Sequence, residues 1–168
     1  KRCVLIAVPH TSNWDFLFAI ATFKIMKIPI RFTIKKDWIK FPFGFITKPL
    51  GAIGINRKPK VEGEKRQSMV DYMTDLYQEN KDLVLIVTVE GTRSLVEEWK
   101  SGFYHIAKNA GVPIAMGYLD YENKISGINT ELFYPTENME EDMKFIMNFY
   151  ANAKAKHPEK HSLDKRYS

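Results

Sequence analysis

His10 and Asp15 stand five residues apart in the segment His10-Thr11-Ser12-Asn13-Trp14-Asp15. On one continuous helix their side chains would be rotated by about 140° from each other and could not meet. With His10 in a turn before a helix and Asp15 in its first turn, the carboxylate can reach back to the imidazole. It would then fix the ring tautomer and stabilise the imidazolium formed when the other nitrogen takes a proton. A histidine with an ordinary pKa of about 6.5 suits a general base at neutral pH. The same spacing also serves a plain helix start, with Asp15 as a cap and His10 as a polar strand-end residue. Spacing alone does not separate the two.

A second polar group is Glu90-Gly91-Thr92-Arg93-Ser94. Gly91 lets the backbone come close to a ligand, Thr92 and Ser94 offer hydroxyls, and Arg93 offers a planar fork suited to phosphate. Arg57 is expected to join Arg93 as a second phosphate clamp, with Glu90 holding one of the two arginines. The plainer alternative is a solvated turn with a surface Glu–Arg pair. Other patterns carry less. Gly51-x-x-Gly54 lacks the third glycine and opening helix of a dinucleotide site. His157-x-x-x-His161 has helical metal-ligand spacing, but Pro158 breaks that helix and no third ligand is near, so no metal is expected. Ser12 and Ser94 lack a nucleophile-elbow context. The single cysteine, Cys3, permits neither an internal disulfide nor a Cys-based zinc site. It reads as a small buried hydrophobe, and a reducing compartment is the default.

These groups need elements to hold them. Cys3–Pro9 reads as a buried strand, and a helix follows from Ser12, with Phe16, Ile20, Phe23 and Met26 at helical spacing. Ser12-x-x-Asp15 has the form of a capping box, and Pro29 stops the helix. Ile30–Ile34 is a second strand and Gly51–Asn56 a third, with short helical turns and loops over 35–50. A polar loop runs through Glu64, and Glu62–Glu79 reads as a helix overlapping its end. Leu83–Val89 is the clearest buried strand. Ser101–Ala110 is a helix capped by Gly111, and Val112–Leu119 a strand. Asp120–Ser126 is a turn, with a hairpin as the alternative, and Glu137–Ala155 is an amphipathic helix. The alternation argues for one α/β domain over residues 1–155, its central sheet largely parallel or mixed, with helices on both faces. Residues 156–168 read as a charged, frayed C-terminal tail. Ligands of such sheets sit beyond the strand C-terminal ends. His10–Asp15, Asn56–Arg57 and Glu90–Ser94 all fall there.

The chain has 168 residues, 45% hydrophobic and 27% charged, which is a globular balance for one domain. Its net charge of +5 is uneven: residues 1–60 carry 12 Lys/Arg against Asp15 and Asp37, while the remainder is net −5. A basic half of this kind points to a phosphate-bearing or membrane-surface partner. Lysines lie among aromatics and prolines within 24–48, including Trp38, Phe41, Phe43 and Phe45. Cations and rings together suit an interfacial membrane contact or an acyl-chain entrance. A nucleic-acid surface uses similar residues, and so does an ordinary core edged with solvated lysines. No apolar run is long enough to span a bilayer, and no secretory signal is present. The first residue is not methionine, which leaves room for a missing N-terminal segment.

Four blocks in this order and spacing resemble the glycerolipid acyltransferase family, whose best-known members are 1-acylglycerol-3-phosphate acyltransferases. His10–Asp15 resembles its His-x4-Asp block, Gly51–Arg57 the second block ending in arginine, Glu90–Ser94 the third, and Val112-Pro113-Ile114 the fourth. Lys36, Pro42, Phe43 and Gly44 sit where the family has a basic residue and a Pro-aromatic-Gly turn. The likeness covers roughly residues 5–120. It departs at Val89, where the family usually has proline, and at the N-terminus, where many members carry a membrane-associated helical segment. Either the sequence is cut short, or attachment relies on the basic, aromatic surface.

The resemblance implies a mechanism and a set of partners. His10 would take the proton of an acceptor hydroxyl, which attacks the thioester of acyl-CoA or acyl carrier protein, while Asp15 orients His10. Arg57, Glu90, Gly91, Thr92, Arg93 and Ser94 would hold the acceptor phosphate, and backbone amides near that turn would face the oxyanion. The expected acceptor is a lysophosphatidic acid-like lysophospholipid. Another lysolipid or alcohol is the alternative, and so is a catalytically silent lipid- or membrane-binding module. No cofactor is expected beyond the acyl co-substrate, no nucleic acid is expected as partner, and the expected location is cytoplasmic with peripheral membrane association.

Overall fold

A computed structural model describes residues 1–55 and 67–168. Its elements in chain order are β1 (Arg2–Val8), α1 (Asn13–Ile25), β2 (Ile30–Lys35), a 3-10 turn (Lys36–Ile39) and the short α2 (Gly44–Thr47). Then follow β3 (Ala52–Ile55), α3 (Met69–Glu79), β4 (Leu83–Val87), α4 (Gly102–Ala110), β5 (Ile114–Asp120), β6 (Ile125–Ile128) and α5 (Met139–Tyr150). Among the described residues the strands form one six-stranded sheet in the order β3-β2-β4-β1-β5-β6. Every neighbouring pair is parallel except β5 and β6.

β1 sits between β4 and β5, and its Val4, Leu5 and Ile6 are fully buried. An unbroken apolar run is what a strand covered on both faces requires. Val4 and Ile6 face a core with α3, α4 and α5, whereas Leu5 packs on the other side with Ala19 and Phe23 of α1. Helices therefore cover both faces, and the α/β architecture expected from the sequence is the one observed. Ser12 caps α1 and the capping box with Asp15 is formed. α5 buries Met143, Ile146, Met147 and Tyr150, an i, i+3, i+4, i+7 stripe.

The helix expected from Glu62, α3, has its first described residue at Met69, where the Ser68 hydroxyl accepts the Asp71 N–H and caps it; Glu62 itself and residues through 66 lie outside the described residues. The turn after β5 is a true hairpin that adds β6 as an antiparallel edge strand. The C-terminal stretch does not fray. Asp164 is fully buried, and its carboxylate accepts the Trp99 N–H at 2.9 Å and an Arg166 N–H at 2.7 Å. Trp99 Nε1 also donates to the Ser162 carbonyl at 3.1 Å. The charges of residues 156–168 are anchored by this buried knot, so the segment packs back over the domain.

Candidate active site

β1 and β4 are hydrogen-bonded neighbours, and each ends at the same edge of the sheet. The chain leaving β1 carries His10 and the chain leaving β4 carries Glu90, so adjacency of the strands brings the two turns together. The His10 N–H donates to Glu90 Oε2 at 2.8 Å. Asp15 Oδ2 accepts the N–H groups of Thr11 and Ser12 at 2.6 and 2.7 Å. These are charge-assisted bonds at the start of α1, where a carboxylate is also favoured by the helix dipole. The capping reading of the His10–Asp15 spacing is the one seen directly. Asp15 organises the helix start, and the same oxygen lies 3.9 Å from His10 Nδ1. That separation is electrostatic rather than a hydrogen bond. Its other oxygen accepts the Tyr121 hydroxyl.

The imidazole is largely buried, and burial is the main reason its pKa lies below the ordinary 6.5. Asp15 and then Glu90 pull it upward, and Arg93 pushes it down. The lowered pKa favours the uncharged ring near pH 7, and Nδ1 is the ring nitrogen on the Asp15 side.

His10 lines a cleft of about 900 Å³ over the strand ends, within the usual range for ligand sites. One wall is apolar, built from Phe16, Leu17, Phe32, Ile34, Trp38 and Leu50, with Met69 and Met73 from α3. The polar lining includes Lys35, Arg93 and Lys100, and no carboxylate is among its described lining residues. Arg93 thus stands where the sequence suggested, on the exposed turn that also carries Gly91, Thr92 and Ser94. Gly91 has a φ of +67°, and the Lys100 ammonium lies 2.6 Å from where a Cβ would stand. Thr92 Oγ1 accepts the Ser94 N–H at 3.3 Å, which shapes the turn. Arg57 lies outside the described residues.

Glu90 was expected to hold one of two arginines, of which Arg57 lies outside the described residues. Glu90 is buried at 3% exposure, and its described partners are not arginines. Oε2 takes the His10 N–H and Oε1 lies 3.0 Å from His161 Nδ1. A buried carboxylate needs donors on both oxygens, and these two supply them. Gly91, Thr92, Arg93 and Ser94 are exposed while Glu90 is buried, and of these five residues only Arg93 lines the cleft, so Gly91, Thr92 and Ser94 are not brought to it. His157 and His161 do not converge: the His157 ring lies 3.5 Å from Glu159, and the His161 ring pairs with Glu90. Cys3 is half-buried against the apolar core rather than fully enclosed, and burial pushes its thiol up to about 11. Sequence reasoning missed Lys100, Tyr121 and His161. His161 was weighed only as half of a metal-ligand pair with His157, and all three reach the site only through the fold.

Among the described residues, no helix is long and apolar enough to cross a membrane. The segment of lysines and aromatics instead forms an exposed apex: Phe41 and Phe45 are 84% and 77% exposed, and Trp38, Phe43 and Ile46 are exposed beside them. The core-aromatic alternative therefore fails for these side chains.

No curated protein and no solved structure matches the chain significantly. A family model described as Acyltransferase matches residues 1–116, a span that holds the His10, Arg57, Glu90–Ser94 and Val112–Ile114 blocks. That match extends over well more than half of the 168 residues, and the chain belongs to the acyltransferase family of the glycerolipid type, as an acyltransferase enzyme.

Proposed function

We propose that the chain is an O-acyltransferase that moves a fatty acyl group from acyl-CoA or acyl carrier protein to a hydroxyl of a lysophosphatidic acid-like acceptor. The observation that carries this reading is a single cleft lined by His10, by a run of apolar side chains and by three cations. The apolar wall suits an acyl chain, and Arg93, Lys100 and Lys35 suit a phosphate. His10 Nε2 takes the proton of the acceptor hydroxyl as that oxygen attacks the thioester carbon. The C–S bond breaks, the thiolate leaves, and the imidazolium returns the proton to it. Asp15 stabilises the imidazolium in between. The His10, Thr11 and Ser12 N–H groups are already bound to carboxylates, so the oxyanion takes its donors from elsewhere in the cleft. No acyl-enzyme is needed, and the acyl donor is a co-substrate rather than a cofactor.

The exposed apex of Trp38, Phe41, Phe45 and Ile46, with Lys36, Lys40 and Lys48 around it, would rest on the headgroup boundary of a membrane where lysolipid is supplied. The protein would then act as a cytoplasmic, peripherally attached enzyme.

The phosphate role is tested by Arg93→Ala assayed with lysophosphatidic acid and with a neutral monoacylglycerol as acceptors. Loss of one charged clamp should raise KM for the phosphate-bearing acceptor about tenfold or more and leave the neutral acceptor nearly unchanged. Equal damage to both acceptors would remove the phosphate from the proposal and favour another alcohol.

A further inference from the structure

We propose that His161 is a positioning residue for the His10 base, acting through Glu90, within a C-terminal strap that clamps both turns of the site. The proposal rests on the reading of His10 as the base of an acyl transfer.

Glu90 has two oxygens and two described partners. One is the His10 backbone, and the other is the His161 ring, whose side chain is only 10% exposed. A carboxylate only accepts, so His161 carries its proton on Nδ1 and donates it. Removing that donor takes away the contact that Oε1 makes among the described residues. Glu90 is then freer to rotate, which weakens its hold on the His10 N–H.

The neighbouring residues make the same kind of contact. The His157 N–H donates to Thr11 Oγ1 at 3.3 Å, inside the His10 turn. The Lys156 ammonium lies 5.2 Å above the ring of Trp14 in the first turn of α1. The Lys154 carbonyl accepts the Tyr121 N–H at 2.9 Å, and the Tyr121 hydroxyl donates to Asp15. Both carboxylates beside His10 are thus held from behind by residues 121–161, directly or through one contact. The strap is itself pinned by Asp164 to Trp99. All these groups lie past residue 116, where the family match ends.

The effect should fall on kcat. Arg93 and Lys100 approach the cleft from its exposed rim and make no described contact with Glu90, whereas a shift of about 1 Å in a catalytic base costs about 100-fold. His161→Phe keeps the ring's bulk and removes the donor. His161→Asn puts an amide nitrogen where Nδ1 stands. We expect His161→Phe to lower kcat about 10- to 100-fold with KM for donor and acceptor within about twofold, and His161→Asn to stay within about threefold of wild type. Amide hydrogen exchange at His10 should speed up at least about tenfold in the phenylalanine variant and remain at the wild-type rate in the asparagine variant. His161→Ala replaces the phenylalanine variant if that one does not fold. Wild-type kcat in the donor-less variant overturns the proposal. So does an asparagine variant as impaired as the phenylalanine one, or a loss carried by acceptor KM. If the wild-type protein transfers no acyl group, it is the base reading that falls. The His10 exchange rates then decide alone, and an unchanged rate in His161→Phe overturns the positioning role.

Discussion

Burial lowers the His10 pKa from 6.5, Asp15 and Glu90 oppose that, and Arg93 reinforces it. The sign of the pH dependence follows. The neutral, proton-accepting form dominates above the lowered pKa, so kcat/KM should be flat near pH 7 and fall as pH drops through a midpoint below 6.5. Arg93→Ala removes a downward push and should move that midpoint up, whereas Asp15→Asn removes an upward pull and should move it down. Rate profiles between pH 4.5 and 8, on the order of a dozen points each, would check this. A midpoint above 6.5 in wild type would contradict the buried, uncharged ring. His10 and Asp15 were legible in the sequence because a capping box announces itself within four residues. Tyr121 and His161 were not, since they meet Asp15 and Glu90 across 106 and 71 positions of chain. Among the described residues Glu90 meets the His10 N–H and the His161 ring, which its position in the sequence did not suggest. Its charge suggested an arginine, whereas its burial beside β1 selects the His10 N–H and a histidine ring.

The strands that position these residues are the elements most plainly written in the chain. Cys3–Val8 and Leu83–Val87 are apolar without alternation, which only a doubly covered strand tolerates, and they prove to be adjacent. Ends were less legible, because they depend on tertiary caps such as Ser68 or on pairing such as that of β6. The C-terminal stretch was misread. Its lysines and glutamate suggest a solvated end, and the burial of Asp164 under Trp99 has no local signal. Backbone constraints give a prediction for β3, which must enter alongside β2. Gly51 has a φ of +98°, and a Cβ there would stand 2.2 Å from the Ile30 carbonyl oxygen. Gly51→Ala should therefore cost about 3 kcal/mol or more. Gly111 also has positive φ but open space around it, so Gly111→Ala should cost only about 1–2 kcal/mol. Urea unfolding of both variants would test the contrast, and equal losses would refute the steric account.

The charge asymmetry of the sequence acquires a location in the folded protein. The basic half supplies both the exposed aromatic apex and part of the cleft, so a lipid surface and a phosphate-bearing acceptor would be met on related sides of the same segment. Phe41→Ala with Phe45→Ala should weaken binding to anionic phosphatidylglycerol vesicles about tenfold or more, with Tm unchanged because neither ring is in the core. Undiminished sedimentation with vesicles would remove the apex from the membrane contact. Membership of the acyltransferase family leaves the identity of base and acceptor to experiment, and one assay reaches both. Purified protein is given palmitoyl-CoA and lysophosphatidic acid, and turnover is compared with that of His10→Ala. Wild type should form the diacyl product, and the variant should lose at least about 1,000-fold in kcat while keeping its circular dichroism and Tm. A folded His10→Ala protein that turns over at the wild-type rate would contradict the mechanism.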